Sequence, residues 1–142
     1  MQDNDNNNTG HLNVEELPMP NCAAFMKPKY IEYLPGEKLS FSFPVQDEYL
    51  NPGQAMQGGF ITAAFDNVFG PLSLLEMKSS YTTTITLTTS YHRPIFAGDT
   101  LTVTAYMKNK GRRKIHMLAD AFNKAGKLVA TATCDYFLTE PQ

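Results

Sequence analysis

Residues 51–75 read NPGQAMQGGFITAAFDNVFGPLSLL, a polar, glycine-bearing entry followed by a long apolar run. From Phe60 the apolar residues recur at Phe60, Ala63, Ala64, Val68, Leu72 and Leu75. That spacing marks one face of a helix, over a length no strand has, and it predicts a helix packed against something large. Gly70-Pro71 falls inside the run, and a proline removes one ladder hydrogen bond, so a kink or a split is expected there.

Two features of this helix do not serve packing. Asp66 stands in its middle, where an aspartate side chain competes for backbone hydrogen bonds. One turn away are Thr62, Ala63, Phe69 and Gly70, none of them a cation. Either Asp66 lies on the solvent side of an amphipathic helix, or it is a carboxylate in apolar company, made more basic by desolvation. The second feature is Gln57-Gly58-Gly59 at the helix entrance. It is a flexible turn, or it leaves the bare amides of the electropositive helix end open to a ligand oxygen. With a carboxylate about two turns further on, the latter reading becomes an oxyanion hole with its base.

The chain has 142 residues, which suits one domain. A net charge of −2 gives no drive toward nucleic acid or anionic membrane. Cys22 and Cys134 are isolated, so no disulfide framework is expected, and Cys134 sits in an apolar alternation that predicts a buried thiol. His11, His92 and His116 form no cluster with metal-ligand spacing, so no metal is expected. The N-terminus lacks a signal-peptide pattern and no run approaches a membrane span; the expected location is cytoplasmic.

Residues 1–10 are polar and expected to be disordered, leaving 11–142 as a single domain. Asn21 to Tyr33 is ambiguous: NCAAFM can start a short helix that Pro28 would end. Lys38 to Val45 alternates as a strand with Leu39, Phe41, Phe43 and Val45 on one face, and Pro44 marks an edge or the strand's end. After Ser79 the period becomes two. Tyr81, Ile85, Leu87 and Tyr91 are expected on one face, with Thr82, Thr84, Thr86, Thr88 and Ser90 on the other. Further strands carry Leu101 to Met107, Ile115 to Ala121 and Leu128 to Leu138, separated by turns at Lys110-Gly111-Arg112 and Asn123–Gly126. The fold class is α+β: one strand, one long helix, then a meander of at least three long antiparallel strands. A single helix covers about half of such a sheet and its edges stay open, which favours a homo-oligomer, most simply a two-fold dimer.

At this point the residues resemble a known family. N-P-G-x-x-x-Q-G-G-F-x-x-x-x-F-D-N-x-x-G from Asn51, and Y-H-R-P-I-F-A-G-D-T-L from Tyr91, are similar to the hotdog-fold acyl-CoA thioesterases of the PaaI-like group. The resemblance covers about Leu39 to Phe137, and GKLVA at 126–130 supports it. It implies a long central helix wrapped by a curved antiparallel sheet of five or six strands. It implies homodimers, often homotetramers, with active sites shared between two protomers. It implies hydrolysis of an acyl- or aryl-CoA thioester, with coenzyme A as part of the substrate and no separate cofactor. On that resemblance Asp66 falls on the catalytic carboxylate, a general base or nucleophile. Gly58 and Gly59 fall on the amides that hold the thioester carbonyl. Asn51 falls on a residue that orients water or substrate, and Thr84 on a hydroxyl near the carboxylate of the other protomer.

The chain departs from the family at Gln57, where a histidine usually precedes the two glycines. Glutamine keeps donors and acceptors but carries no proton. That departure leaves open a second reading, a non-catalytic hotdog protein that senses acyl-CoA without cleaving it. A hotdog dehydratase would need a histidine and acid pair that this chain does not place. Five basic residues crowd into 108–114: Lys108, Lys110, Arg112, Arg113 and Lys114. They form a solvated hairpin tip or, with Arg93 nearby, a seat for the phosphates of coenzyme A. Phe60, Phe65 and Phe69 belong to the core, to an acyl pocket, or to both. Aromatic residues do not interleave with the basic ones, which argues against nucleic acid.

Overall fold

The structure is a computed structural model that describes residues 13–79 and 81–139. The expected disordered tail, residues 1–10, lies outside the described residues. Ten elements follow in order: a 3-10 turn at Val14–Glu16, α1 (Asn21–Ala24), β1 (Lys29–Leu34), β2 (Lys38–Pro44), a 3-10 turn at Asp47–Tyr49, α2 (Gly58–Met77), β3 (Thr82–Tyr91), β4 (Thr100–Lys110), β5 (Lys114–Phe122) and β6 (Leu128–Leu138). The strands make one antiparallel sheet in the order β1-β2-β4-β5-β6-β3, and α2 packs across β2 to β6. This is the wrapped-helix arrangement that the resemblance implies.

The helix buries Ile61, Ala64, Phe65, Val68, Phe69, Leu72 and Leu75, with Ser73 and Glu76 on the same side. The predicted stripe is therefore rotated slightly: Phe60 and Ala63 sit at its margin, half-buried. Opposite lie Leu39, Phe43, Leu101, Val103, Ala105, Ile115, Met117, Ala119 and Ala132, inward residues of the neighbouring strands β2, β4, β5 and β6. Pro71 does not split α2, which runs through it. Gly70 precedes it and has no Cβ to meet the proline ring, which removes part of the usual penalty. Ser73 Oγ also donates to the Gly70 carbonyl at 2.6 Å.

Two points left open by the sequence are resolved, and one expectation needs correcting. The ambiguous Asn21 to Tyr33 holds both a one-turn helix and an edge strand, β1, which the sequence pattern did not separate. β4, β5 and β6 form the expected three-stranded meander, and β3 pairs with β6 at its far side. The two faces predicted for Tyr81 to Ser90 are broken by a bulge. Thr84 opposes Tyr136 and Thr86 opposes Asp135, leaving Ile85 as the extra residue. The bulge lets Thr82 and Thr84 face the helix at one end of β3 while Thr89 and Tyr91 face it at the other.

Glu76 is a buried charge that periodicity does not reveal. Its Oε1 accepts Tyr33 Oη at 2.9 Å and the Gly36 amide at 2.7 Å, and Lys110 Nζ stands 3.7 Å from Oε2. It thereby ties the β1–β2 turn and the end of β4 to the last turn of α2. Burial, then the Glu76 carboxylate, pushes the Tyr33 phenol far above its ordinary range, so it remains a donor. Glu76→Ala strands these donors and should lower the unfolding free energy in urea by about 2–3 kcal/mol. Glu76→Gln, which keeps an acceptor for Tyr33 and Gly36, should lose clearly less.

Candidate active site

The loop before α2 is shaped by Asn51. Its Oδ1 accepts the amides of Gly53 at 2.9 Å and Ala55 at 3.1 Å, and its own amide donates to the Ala55 carbonyl at 2.7 Å. Such an asparagine-capped turn folds the chain back on itself just ahead of the helix. The Gln57 amide is fixed to the Tyr49 carbonyl at 2.7 Å, and the Gln57 carbonyl takes Phe60 and Ile61. The amides of Gly58 and Gly59 donate to no acceptor among the described residues, and the Gln57 side chain does not cap them. They are the unpaired donors of the helix start. Tyr91 roofs this end: its hydroxyl donates to the Gly58 carbonyl at 2.7 Å and pairs with Thr62 Oγ1 at 2.7 Å. A Cβ on Gly58 would lie 2.8 Å from Tyr91 Cζ, so any larger residue would push the ring aside. Asn51, Gly58, Ile61, Tyr91, His92 and Arg93 line a cleft of about 430 Å³ here.

A second cleft, about 340 Å³, opens further along the helix, with Asp66, Asn67, Gly70, Thr82, Thr84 and Tyr136 on its walls. Asp66 is exposed in the single chain and not enclosed by apolar residues, the first of the two environments that its sequence context left open. Its carboxylate accepts the hydroxyl of Tyr136 and, at 3.3 Å, Thr84 Oγ1. Thr84 thus meets the carboxylate of its own chain. The Asp66 charge is felt by its neighbours: burial, then Asp66, pushes the Tyr136 phenol and the Cys134 thiol far up, so both stay protonated. Cys134 and Cys22 are free thiols, the first buried and the second exposed. Asn67, the next residue on α2, donates to the Cys22 carbonyl at 3.2 Å and ties down α1.

The remaining expected site residues fall elsewhere. Phe69 is fully buried and stacked on Phe65 at 6.2 Å, inside the core and away from both clefts. Arg93 lines the cleft at the helix start. It is not beside the basic hairpin: Arg93 meets Val129 and Arg113 meets Leu138, at opposite ends of β6. At about 3.3 Å per residue that separation is roughly 30 Å. Of the hairpin residues, Lys110 pairs with Glu76, and Lys114 stands 3.5 Å from Asp135, while Arg112 is exposed. Burial alone would raise Asp135, but His116, Thr86 and Lys114 outweigh it and hold the carboxyl below its ordinary range. No group of three histidine, cysteine or acidic residues able to hold a metal occurs among the described residues. No helix among them is long and apolar enough to cross a membrane.

Tyr136, Tyr91, Thr62 and Thr89 were not anticipated. A signal for Tyr136 exists: it continues the inward series Ala130, Ala132, Cys134 on β6, and a buried tyrosine hydroxyl needs a partner. Asn51 carries a stability prediction. Asn51→Ala, which abandons two backbone amides, should cost about 1–3 kcal/mol in urea unfolding. Asn51→Asp keeps the acceptor and should stay within about 0.5 kcal/mol of the parent.

The model of the thioesterase superfamily matches residues 53–130, more than half of the chain, a span that takes in Gly58, Gly59, Asp66 and Thr84 but neither Asn51 nor Tyr136. No curated protein matches. Solved structures do. A phenylacetic acid degradation-related protein from Ralstonia eutropha is 28% identical, with 88% of this chain and 96% of that chain covered and a TM-score of 0.80. The PaaI protein of the Escherichia coli phenylacetic acid degradation operon is 24% identical, with 87% of each chain covered and a TM-score of 0.80. A Streptococcus mutans protein bound to acetyl-CoA is 22% identical, with 81% of this chain and 90% of that chain covered and a TM-score of 0.73.

Proposed function

Because the chain belongs to the thioesterase superfamily, we propose that it hydrolyses an acyl- or aryl-CoA thioester in a site shared by two copies of itself. One observation carries the shared site. Gly58, Gly59 and Asp66 lie on the same continuous helix, eight residues from the first to the last. At 1.5 Å per residue that is about 12 Å, too far for the amides and the carboxylate of one chain to act on one carbonyl carbon.

The sheet offers a way to bring them together. β3 is an edge strand whose free side is open for pairing, and Tyr81 just before it, with Ile85 and Tyr91 on it, are each about half exposed. Both clefts open beside it, Thr82 to Thr84 at one end and Tyr91 at the other. Antiparallel pairing of two β3 strands about a two-fold axis sets the Thr84 end of one against the Tyr91 end of its mate. Asp66 then faces the bare amides of the partner's helix. A dimer with two such sites is the smallest complete enzyme, and a tetramer would double it.

The chemistry follows from that placement. The thioester oxygen accepts the Gly58 and Gly59 amides, which strengthen as it gains charge. Asp66 takes a proton from water while the water oxygen bonds to the carbonyl carbon. The carbon–sulfur bond then breaks, the coenzyme A thiolate leaves and takes up that proton, and the free acid remains. Asn51 has spent its carbonyl on the loop, so its Nδ2 is the donor left for water or substrate. Arg93 at the cleft mouth suits a phosphate of coenzyme A, and the exposed Arg112 and Arg113 of the hairpin are a second candidate. Likeness to a chain bound to acetyl-CoA supports coenzyme A as the carrier, and likeness to phenylacetic acid degradation proteins supports an aryl acid among the acyl groups. The protein works in the cytoplasm on this reading.

Gln57 favours a second reading, a sensor that binds acyl-CoA intact. Release of free thiol from acetyl-, hexanoyl- and phenylacetyl-CoA decides between them. Thiol release at enzymatic rates supports the hydrolase, and binding without release supports the sensor. In the hydrolase, Asp66→Asn should cut turnover by about a hundredfold to ten-thousandfold with the melting temperature kept. Near-parental turnover in that variant removes Asp66 from the mechanism.

A further inference from the structure

Tyr136 approaches the Asp66 carboxylate from the sheet side. Its ring is 4% exposed, buried beneath α2 between the helix and β6. Its hydroxyl donates to Asp66 Oδ1, the same oxygen that accepts Thr84 Oγ1 at 3.3 Å. Oδ2 of Asp66 has no hydrogen-bond donor among the described residues. A carboxylate gripped by two donors through one oxygen cannot turn freely, and its other oxygen points in one direction. We infer that Tyr136 is the positioning residue of the reaction: through Oδ1 it fixes the plane of the carboxylate and presents Oδ2 as the oxygen that takes the proton from water. This rests on the reading of Asp66 as the base.

The arrangement assigns different work to the two donors. Thr84 lies on the exposed edge strand, at the bulge where β3 shifts register, and its bond is long. Tyr136 comes from a strand hydrogen-bonded on both sides, so its hydroxyl is held by the sheet and not by the edge. Burial and the adjacent carboxylate keep that phenol protonated, so it donates throughout the working range. The groups facing Asp66 are then Tyr136 and Cys134 from β6, Thr84 from β3, and Asn67 and Cys22 from the α1–α2 contact. None is a cation, so orientation of the carboxylate depends on hydrogen bonds alone.

Tyr136→Phe removes one oxygen and leaves the ring. It is assayed on whichever of acetyl-, hexanoyl- and phenylacetyl-CoA the parent cleaves fastest. The inference expects kcat to fall about ten- to a hundredfold, the effect of one hydrogen bond to a charged group, with KM within about twofold. In an Asp66→Asn background the same substitution should remove nothing further, because Tyr136 acts only through that carboxylate. Parental kcat in the single variant, or an equal further loss in the Asp66→Asn background, overturns the inference. A crystal structure of Tyr136→Phe reads the same point without turnover. The Asp66 carboxylate should occupy a turned or divided orientation, and an unchanged single orientation overturns it. The two readings fail separately. Turnover surviving in Asp66→Asn defeats Asp66 as the base, whereas an inactive Asp66→Asn beside a normal Tyr136→Phe defeats only the role of Tyr136.

Discussion

The continuous helix α2 is a rigid spacer, and the rest of the structure depends on that. It carries two unpaired amides at its first turn and a carboxylate two turns later, and it holds them about 12 Å apart. Burial against the sheet keeps it from bending to bring them closer. Ile61, Ala64, Phe65, Val68, Phe69, Leu72 and Leu75 are all packed inward, and Glu76 clamps the far end to the β1–β2 turn and to β4. The helix runs unbroken through Pro71, and the glycine before it removes part of the usual penalty. The spacing is therefore a fixed property of the chain, and the proposed chemistry draws on two such rods facing each other.

The surroundings of each end differ in kind. The helix start is built from backbone: Asn51 folds the loop, Gln57 is held through its main chain, and glycine beneath Tyr91 lets a ring close over the first turn. The carboxylate end is built from side-chain hydroxyls on two neighbouring strands, Thr84 and Tyr136. The bulge at Ile85 serves both. Thr84 and Tyr91 are seven residues apart and would turn to opposite faces of a regular strand; the register shift at Ile85 brings both to the helix side.

Much of this was legible in the sequence. A 3.6-residue period over twenty residues has few alternatives, and it located α2, its polar entry and its misplaced acid. Period-two alternation likewise found β2, β4, β5 and β6. What escaped was what periodicity does not encode. Strand order is one case: β3 follows the helix but pairs with the last strand, and nothing local to either strand states that. The register shift in β3 is another, since a bulge needs only one residue and leaves the composition unchanged. β1 is short, at an edge, and half exposed, so its pattern was too weak to read. Phe69 shows the limit from the other side: an aromatic beside a catalytic candidate looks like a pocket wall, while its position one turn from Phe65 places it in the core. The partners of Glu76 and Tyr136 could not be read because they lie far away in the chain: Tyr33, Gly36 and Lys110 for the one, Asp66 for the other.

The central claim is that one chain's amides serve the other chain's acid, and mixed dimers test it most directly. Asp66→Asn removes the acid, and Gly59→Pro removes an amide at a first-turn position that tolerates proline. Each variant alone should be inactive. Unfolded and refolded together in equal amounts, they form a mixed dimer in which one of the two sites is wholly native. Activity should return to about a quarter of the parental value, since half of the dimers are mixed and each has one working site. A mixture that stays as inactive as its two components contradicts the shared site.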